Sequence, residues 1–138
     1  MYIAASVSDV FEALVNPDRM SNYWFSSGSG RLEQGKTITW RYEEYNAEVD
    51  IHVLELESSK KIVFRWGATD DGHVVTITLH ELDHASTRIE VNEEGFDEQD
   101  ENLIRNLLDN KEGWVYMLTC LKAYLECGVR SLRAGIVK

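Results

Sequence analysis

Residues 80 to 84, His-Glu-Leu-Asp-His, match the H-E-x-x-H spacing of zinc peptidases. In those enzymes the motif lies on a helix, where two imidazoles four residues apart bind one metal and the Glu acts as general base. The residues before His80 instead alternate apolar and β-branched polar side chains, and the alternation resumes at Thr87, which predicts a strand, a turn and a second strand. On an extended backbone His80 and His84 lie roughly 13 Å apart, whereas both must come within about 2 Å of a shared zinc. The sequence therefore predicts no metal site here.

The other residues that could act as nucleophiles or bases form no catalytic motif. The chain has no Ser-His-Asp order, nucleophile elbow or activated cysteine context, and residues 28–30, Gly-Ser-Gly, lack the strand-to-helix setting of a phosphate loop. Cys120 and Cys127 stand two turns apart in one predicted helix, about 10 Å along its axis, which is too far for a disulfide. We expect both to be buried thiols. The sequence predicts no catalytic residue and no cofactor.

Composition narrows the classes of partner. The chain has 138 residues, of which 43% are hydrophobic, and this is sufficient for one domain spanning residues 1–138 with a core of its own. A net charge of −10 without a local Lys/Arg cluster disfavours nucleic acid. No apolar stretch approaches a membrane span, and the N-terminus lacks the pattern of a signal peptide, so we expect no membrane partner and a cytoplasmic location.

Apolar periodicity outlines the elements from the N-terminus to the middle of the chain. Residues 1–5 suggest a short strand, and Ser6 with Asp9 resembles a capping box that opens a helix, which Asn16-Pro17 ends before one further helical turn. Period-two alternation then predicts strands around residues 38–42, 47–56, 62–66, 73–80 and 87–91. After Val53 the apolar phase slips by one residue, which predicts a β-bulge that bends the sheet.

The sequence predicts that the C-terminal part of the chain is mainly helical. The mainly acidic residues 92–101 lack the ligand spacing of a calcium loop. They are typical of the solvent-exposed start of a helix, where acidic side chains interact favourably with the positive end of the helix dipole. Asp109 and Asn110 resemble a new N-cap, so we predict a break before a last helix that spans residues 113–127 and stops at Gly128. The apolar face of this helix is wider than a helix needs in order to pack on a core. The tail to Lys138 is expected to be loose.

This order of elements resembles the helix-grip fold of the Bet v 1-like, START-related (SRPBCC) superfamily, an α+β fold. The local sequence resembles that of bacterial relatives of the activator of the heat-shock chaperone ATPase, in residues 5–18, Trp24, 112–114, Leu118 and 121–126. The resemblance implies a curved antiparallel sheet of six or seven strands around a long C-terminal helix, with two short helices near the N-terminus. It also implies a cavity between sheet and helix, which the superfamily uses for lipids, polyketides, phenolics and hormones.

The leading hypothesis is accordingly a protein that binds a hydrophobic small molecule, aromatic, polyketide or lipid, in that cavity. The candidate lining residues are Trp24, Trp40, Tyr42, Phe64, Trp66, Trp114, Met117, Leu118, Leu121 and Tyr124. Each of them alone fits an ordinary core position, and only the set argues for a pocket. The polar groups that orient the ligand would come from Tyr42, Tyr124, His52 or His73.

Two other functions stay open. The same cavity would serve an aromatase/cyclase-like or dehydratase-like enzyme if a His, Tyr or carboxylate inside it transferred protons. A co-chaperone-like role, with a heat-shock chaperone as partner, is the third reading. A homodimer is also left open, since the sequence marks neither a coiled coil nor a symmetric patch.

Overall fold

The computed structural model describes residues 1–67 and 72–137. In chain order its elements are β1 Tyr2–Ile3, α1 Val7–Val15, α2 Pro17–Met20, β2 Ser27–Gly28, β3 Thr37–Tyr42, β4 Ala47–Glu57, β5 Lys61–Trp66, β6 His73–Asp83, β7 Ser86–Glu94 and α3 Leu103–Cys127. The strands form one sheet in the order β1-β7-β6-β5-β4-β3-β2, and every neighbouring pair is antiparallel. The predicted α+β helix-grip fold is confirmed.

One face of the sheet is buried because apolar side chains recur at every second strand position. Ile62 and Phe64 of β5 and Val75 and Ile77 of β6 are at most 1% exposed. Met117, Leu118, Cys120 and Leu121 of α3 are buried in the same core. The long helix therefore packs on this inner face of the sheet.

The predicted bulge is present in β4. The pairing of β4 with β5 shifts register between Val53 and Glu55, at the point where the apolar phase slips. Leu54 is accordingly 43% exposed while Val53 is 2% exposed. The extra residue bends the strand and gives the sheet its curvature around α3.

The predicted N-terminal boundaries are also confirmed. The Ser6 hydroxyl accepts the backbone N–H of Asp9, at 3.3 Å, and so caps α1. After α1 ends at Val15, Asn16 caps α2 in the same way, with its side chain accepting from Asp18 N at 3.0 Å. Pro17 occupies the first turn of α2, where its missing N–H costs nothing.

The H-E-x-x-H segment adopts the strand and turn that the alternation predicted. β6 continues through His80 to Asp83, a two-residue turn holds His84 and Ala85, and β7 begins at Ser86. The segment therefore has the extended backbone of a hairpin rather than the helical backbone that the zinc peptidase motif requires.

Three predictions about the C-terminal part are wrong. α3 runs unbroken for 25 residues, and the Asn110 side chain donates across to Glu93, at 2.9 Å, instead of capping a new helix. Cys127 is exposed, and only Cys120 is buried. The tail is held to the body: the Arg133 guanidinium donates to the carbonyl of Trp24 at 2.8 Å.

One element was not predicted at all. β2 is a two-residue strand that pairs Ser27 with Arg41 and Gly28 with Trp40. Its stretch of Ser and Gly carries no apolar alternation, so only the backbone ladder with β3 defines it.

Candidate ligand-binding cleft

Three tryptophans from distant parts of the chain pack together beside the middle of α3. Trp24 lies in the turn after α2, Trp66 ends β5, and Trp114 lies on α3. The rings of Trp66 and Trp114 are stacked, with centroids 5.5 Å apart and planes 27° apart. Trp24 meets both edge-on, at 5.5 Å from Trp114 and 6.2 Å from Trp66. We refer to these three residues as the tryptophan triad.

The triad borders an open cleft of about 250 Å³. The other lining residues come from one face of α3 and are Asp109, Asn110, Gly113 and Met117. Gly113 leaves this face without a side chain, and a Cβ placed there would meet nothing within 4 Å. We call this space the tryptophan cleft.

The walls of the tryptophan cleft are apolar and its rim is polar. Trp66 and Trp114 are half-buried and so present part of their rings, while Trp24 is 8% exposed. Asp109 and Asn110 supply a carboxylate and an amide. Ligand sites commonly combine apolar walls with a few polar groups, and the pockets that hold drug-sized ligands measure about 300–1,000 Å³. The smaller volume here suits a ligand of one or two rings.

A buried carboxylate stands behind this wall. The side chain of Glu93, in β7, is 4% exposed. Its Oε1 accepts Nε1–H of Trp114 and the amide of Asn110, both at 2.9 Å. Its Oε2 lies 2.5 Å from Nδ1 of His73, which must carry the proton because a carboxylate offers only acceptors. The carboxylate therefore sets the orientation of two residues that line the tryptophan cleft.

The sequence reasoning missed Glu93, although a signal for it existed. Thr87 and Ile89 are buried and Val91 is partly buried on the inner face, and continuing this alternation by two residues places Glu93 there as well. The apolar alternation itself ends at Val91, and a carboxylate such as Glu93 is rarely buried unless it is paired. Its partner His73 shares the inner face of β6 with Val75.

The ten predicted site residues divide into two groups. Those that line the tryptophan cleft are Trp24, Trp66, Trp114 and Met117. Those that do not line it are Trp40, Tyr42, Phe64, Leu118, Leu121 and Tyr124. Trp40 and Phe64 continue the aromatic packing inward, since Trp40 lies 4.9 Å from Trp24 and 5.6 Å from Phe64. That all ten line one internal cavity stays a prediction.

Two of these residues lie under other parts of the chain. Tyr42 is covered by the C-terminal tail, with the Arg133 guanidinium 4.9 Å from its ring centroid. Tyr124 stacks on Tyr23 at 5.8 Å. Burial raises the pKa of Tyr42 to about 12, and its hydroxyl donates to the carbonyl of Arg133. This phenol therefore stays protonated at neutral pH.

Two larger grooves lie away from the tryptophan triad. One of about 590 Å³ lies between the turn after β4 and strand β6, and its lining is mainly polar and charged. The other, of about 490 Å³, follows the outer face of α3 around Leu108 and Val115. Neither brings aromatic faces together with a polar rim, so chemistry rather than volume singles out the tryptophan cleft.

Among residues 1–67 and 72–137, no group of three or more His, Cys, Asp or Glu side chains is arranged to hold a metal ion. In the same ranges, no helix combines the length and apolar character that crossing a membrane would require.

Comparison with known structures identifies similar proteins. The structure of SSP2350 from Staphylococcus saprophyticus is 47% identical over 94% of this chain and 90% of that chain, with a TM-score of 0.82. DynU16, described as a putative protein in the dynemicin biosynthetic locus, is 23% identical, and the match covers 95% of this chain but 47% of that one, with a TM-score of 0.80. The Aha1 dimer from Colwellia psychrerythraea is 20% identical over 93% of both chains, with a TM-score of 0.78. The last two likenesses show the fold alone.

Sequence comparison gives the family directly. No curated protein matches the chain. The family model described as "Activator of Hsp90 ATPase homolog 1-like protein" matches residues 4–126, which is most of the chain. The chain therefore belongs to the Activator of Hsp90 ATPase homolog 1-like family, within the Bet v 1-like (SRPBCC) superfamily.

Proposed function

We propose that the protein binds a small molecule with largely apolar surface in the tryptophan cleft. The observation that supports this most is the meeting of three indole rings around about 250 Å³ of open space with a carboxylate and an amide at its rim. Stacking on an exposed indole face favours flat ligands. The buried carboxylate of Glu93 holds Trp114 in place, so the wall is organised before a ligand arrives.

Tryptophan fluorescence provides a direct test, because three of the four tryptophans border the proposed site. A panel of one-ring and two-ring aromatic compounds is titrated into the protein, and the melting temperature is followed in parallel. A ligand at about one hundred times its Kd stabilises the folded state by about 2.7 kcal/mol, which gives a clear thermal shift.

Two variants localise the effect. Trp66→Leu removes the half-buried ring that stacks on Trp114, and we expect it to weaken binding. Tyr45→Leu removes an exposed ring elsewhere and serves as the control. A panel that changes neither fluorescence nor melting temperature, or a Trp66→Leu variant that binds as well as the wild type, would contradict the proposal. Native mass spectrometry of freshly purified protein then identifies any retained host ligand.

The pair of Glu93 and His73 favours a second candidate, proton transfer on a bound molecule. A carboxylate that holds an imidazole by Nδ1 leaves Nε2 to accept or donate a proton, which is how many enzymes orient a general base. The similarity to DynU16 is a further reason to test this candidate, because that protein is described as belonging to a biosynthetic locus. Turnover of a bound compound that His73→Asn abolishes without loss of binding would support the enzyme, and binding without turnover would support the receptor.

Family membership brings a third candidate, activation of a heat-shock chaperone ATPase. The test is the ATPase rate of the host's chaperone with and without this protein. An unchanged rate at saturating protein would count against the role.

Self-association is a separate proposal. The outer face of α3 exposes four apolar side chains, Ile104, Leu107, Leu108 and Val115. The Colwellia protein was solved as a dimer. Light scattering at several concentrations, with Leu108→Glu as the variant expected to favour the monomer, tests whether this chain dimerises through α3.

A further inference from the structure

The tryptophan cleft is lined by a negative charge. Asp109 carries the one charged side chain that lines the cleft within the described residues. Glu93 adds a second carboxylate directly behind Trp114. Arg105 stands one turn before Asp109 on α3, but no ion pair joins them within 4.0 Å. In the described ranges Asp109 has no ion-pair partner, so its charge remains available to a ligand.

The indole rings also favour a positively charged ligand. The face of an aromatic ring is electronegative, and Trp binds cations more strongly than Tyr or Phe. The Trp114 Nε1–H donates to a carboxylate at 2.9 Å, and such a hydrogen bond polarises the ring toward greater negative charge on its face. Trp66 stacks on Trp114 with the ring planes 27° apart, so two indoles contribute to the wall.

We propose that the tryptophan cleft selects organic ammonium ions, an inference that rests on the proposed function and names its ligand class. The ligand is a small cation whose methyl or methylene groups contact the indoles while its charge faces Asp109. Aromatic walls with a nearby carboxylate are the usual means by which proteins recognise quaternary ammonium groups. The net charge of −10 favours the approach of cations over anions.

Three probes of nearly equal shape separate charge from fit. Choline is the cation, 3,3-dimethylbutan-1-ol replaces its nitrogen by carbon and is neutral, and 3,3-dimethylbutanoate is the anion. Each is titrated by tryptophan fluorescence and calorimetry at low salt. We expect choline to bind about tenfold more tightly than the alcohol, since a partly desolvated cation–π contact is worth that factor. The anion should not bind.

Matched variants at neighbouring positions test the role of Asp109. Asp109→Asn removes the charge at the rim with little change of shape, and we expect choline to bind about twofold to fivefold more weakly while the alcohol is unaffected. Glu112→Gln removes one charge from the outer face of α3, where the residue borders the groove rather than the cleft, and serves as the control. Both residues are exposed, so both variants should fold.

The possible outcomes separate the two proposals. Equal affinity for choline and the neutral alcohol would overturn the charge preference and leave a cleft that binds apolar molecules. Binding of the anion, or an equal effect of Asp109→Asn and Glu112→Gln, would also overturn it. If none of the three probes binds while flat aromatic compounds do, the ammonium inference falls and the proposed function stands. If no compound of either set binds, both fall.

Discussion

Removing the Glu93 carboxylate is the sharpest test of how the wall of the tryptophan cleft is held. In Glu93→Ala three donors lose their acceptor: Nε1–H of Trp114, the amide of Asn110 and Nδ1–H of His73. An unsatisfied buried donor costs about 1–3 kcal/mol. His73 is 32% exposed and Asn110 is half-buried, so water replaces part of what they lose. We therefore take the lower end for each and expect a loss of about 3 kcal/mol in the free energy of unfolding.

Glu93→Gln provides the graded comparison. Its amide oxygen can still accept from Trp114 and Asn110, and its NH₂ can donate to His73 after a change of tautomer. Only the charge-assisted part of the bonds is lost, which is worth about 1–2 kcal/mol. Both variants should remain folded, because domains of this size are typically stable by about 5–15 kcal/mol.

The measurement is urea unfolding followed by tryptophan fluorescence, with a constant m-value as the check that the folded state is unchanged. Glu94→Ala is the control, because Glu94 is the next residue, faces solvent and should stay within about 0.5 kcal/mol of the wild type. The indole N–H resonance of Trp114 should also shift in Glu93→Ala. Equal small effects of Glu93→Ala and Glu94→Ala would refute the reasoning, because the carboxylate would then not hold the wall.

Three other outcomes are expected. Gly113→Ala should raise the free energy of unfolding by about 0.5–1 kcal/mol in urea titration, because the position is helical and a Cβ meets nothing within 4 Å; a loss of stability would show hidden crowding. A thiol reagent should label Cys127 at once and Cys120 only after unfolding, since burial both shields Cys120 and raises its thiol pKa; rapid labelling of two thiols would contradict this. Hydrogen bonds from Arg133 lower the pKa of Glu44, so the folded state binds this proton more weakly than the unfolded chain and the pair stabilises above the ordinary glutamate pKa. Glu44→Gln should cost about 0.5–1 kcal/mol at pH 7, and the difference from wild type should shrink as the pH falls below about 4.5; a difference independent of pH would count against the ion pair.

Local sequence patterns were sufficient for most of the fold. Alternation predicted the strands, a phase slip predicted the bulge after Val53, and Ser6 and Gly128 marked helix ends that the structure confirms. These features depend on a few adjacent residues, so they can be predicted from the sequence alone. The helix break predicted from Asp109 and Asn110 is wrong, because the sequence does not distinguish a residue that caps a helix from a polar residue on its surface until the hydrogen-bond partners are known.

The tertiary structure alone decided what the residues do together. Trp24, Trp66 and Trp114 lie far apart in the chain, and only the closure of the curved sheet around α3 brings their rings within 6.2 Å of one another. Glu93 looks like one more acid in an acidic run, yet its position on the inner face makes it a buried acceptor for three groups. Periodicity reports which face a side chain takes, but contacts across the sheet depend on register and curvature, and these arise from the whole chain.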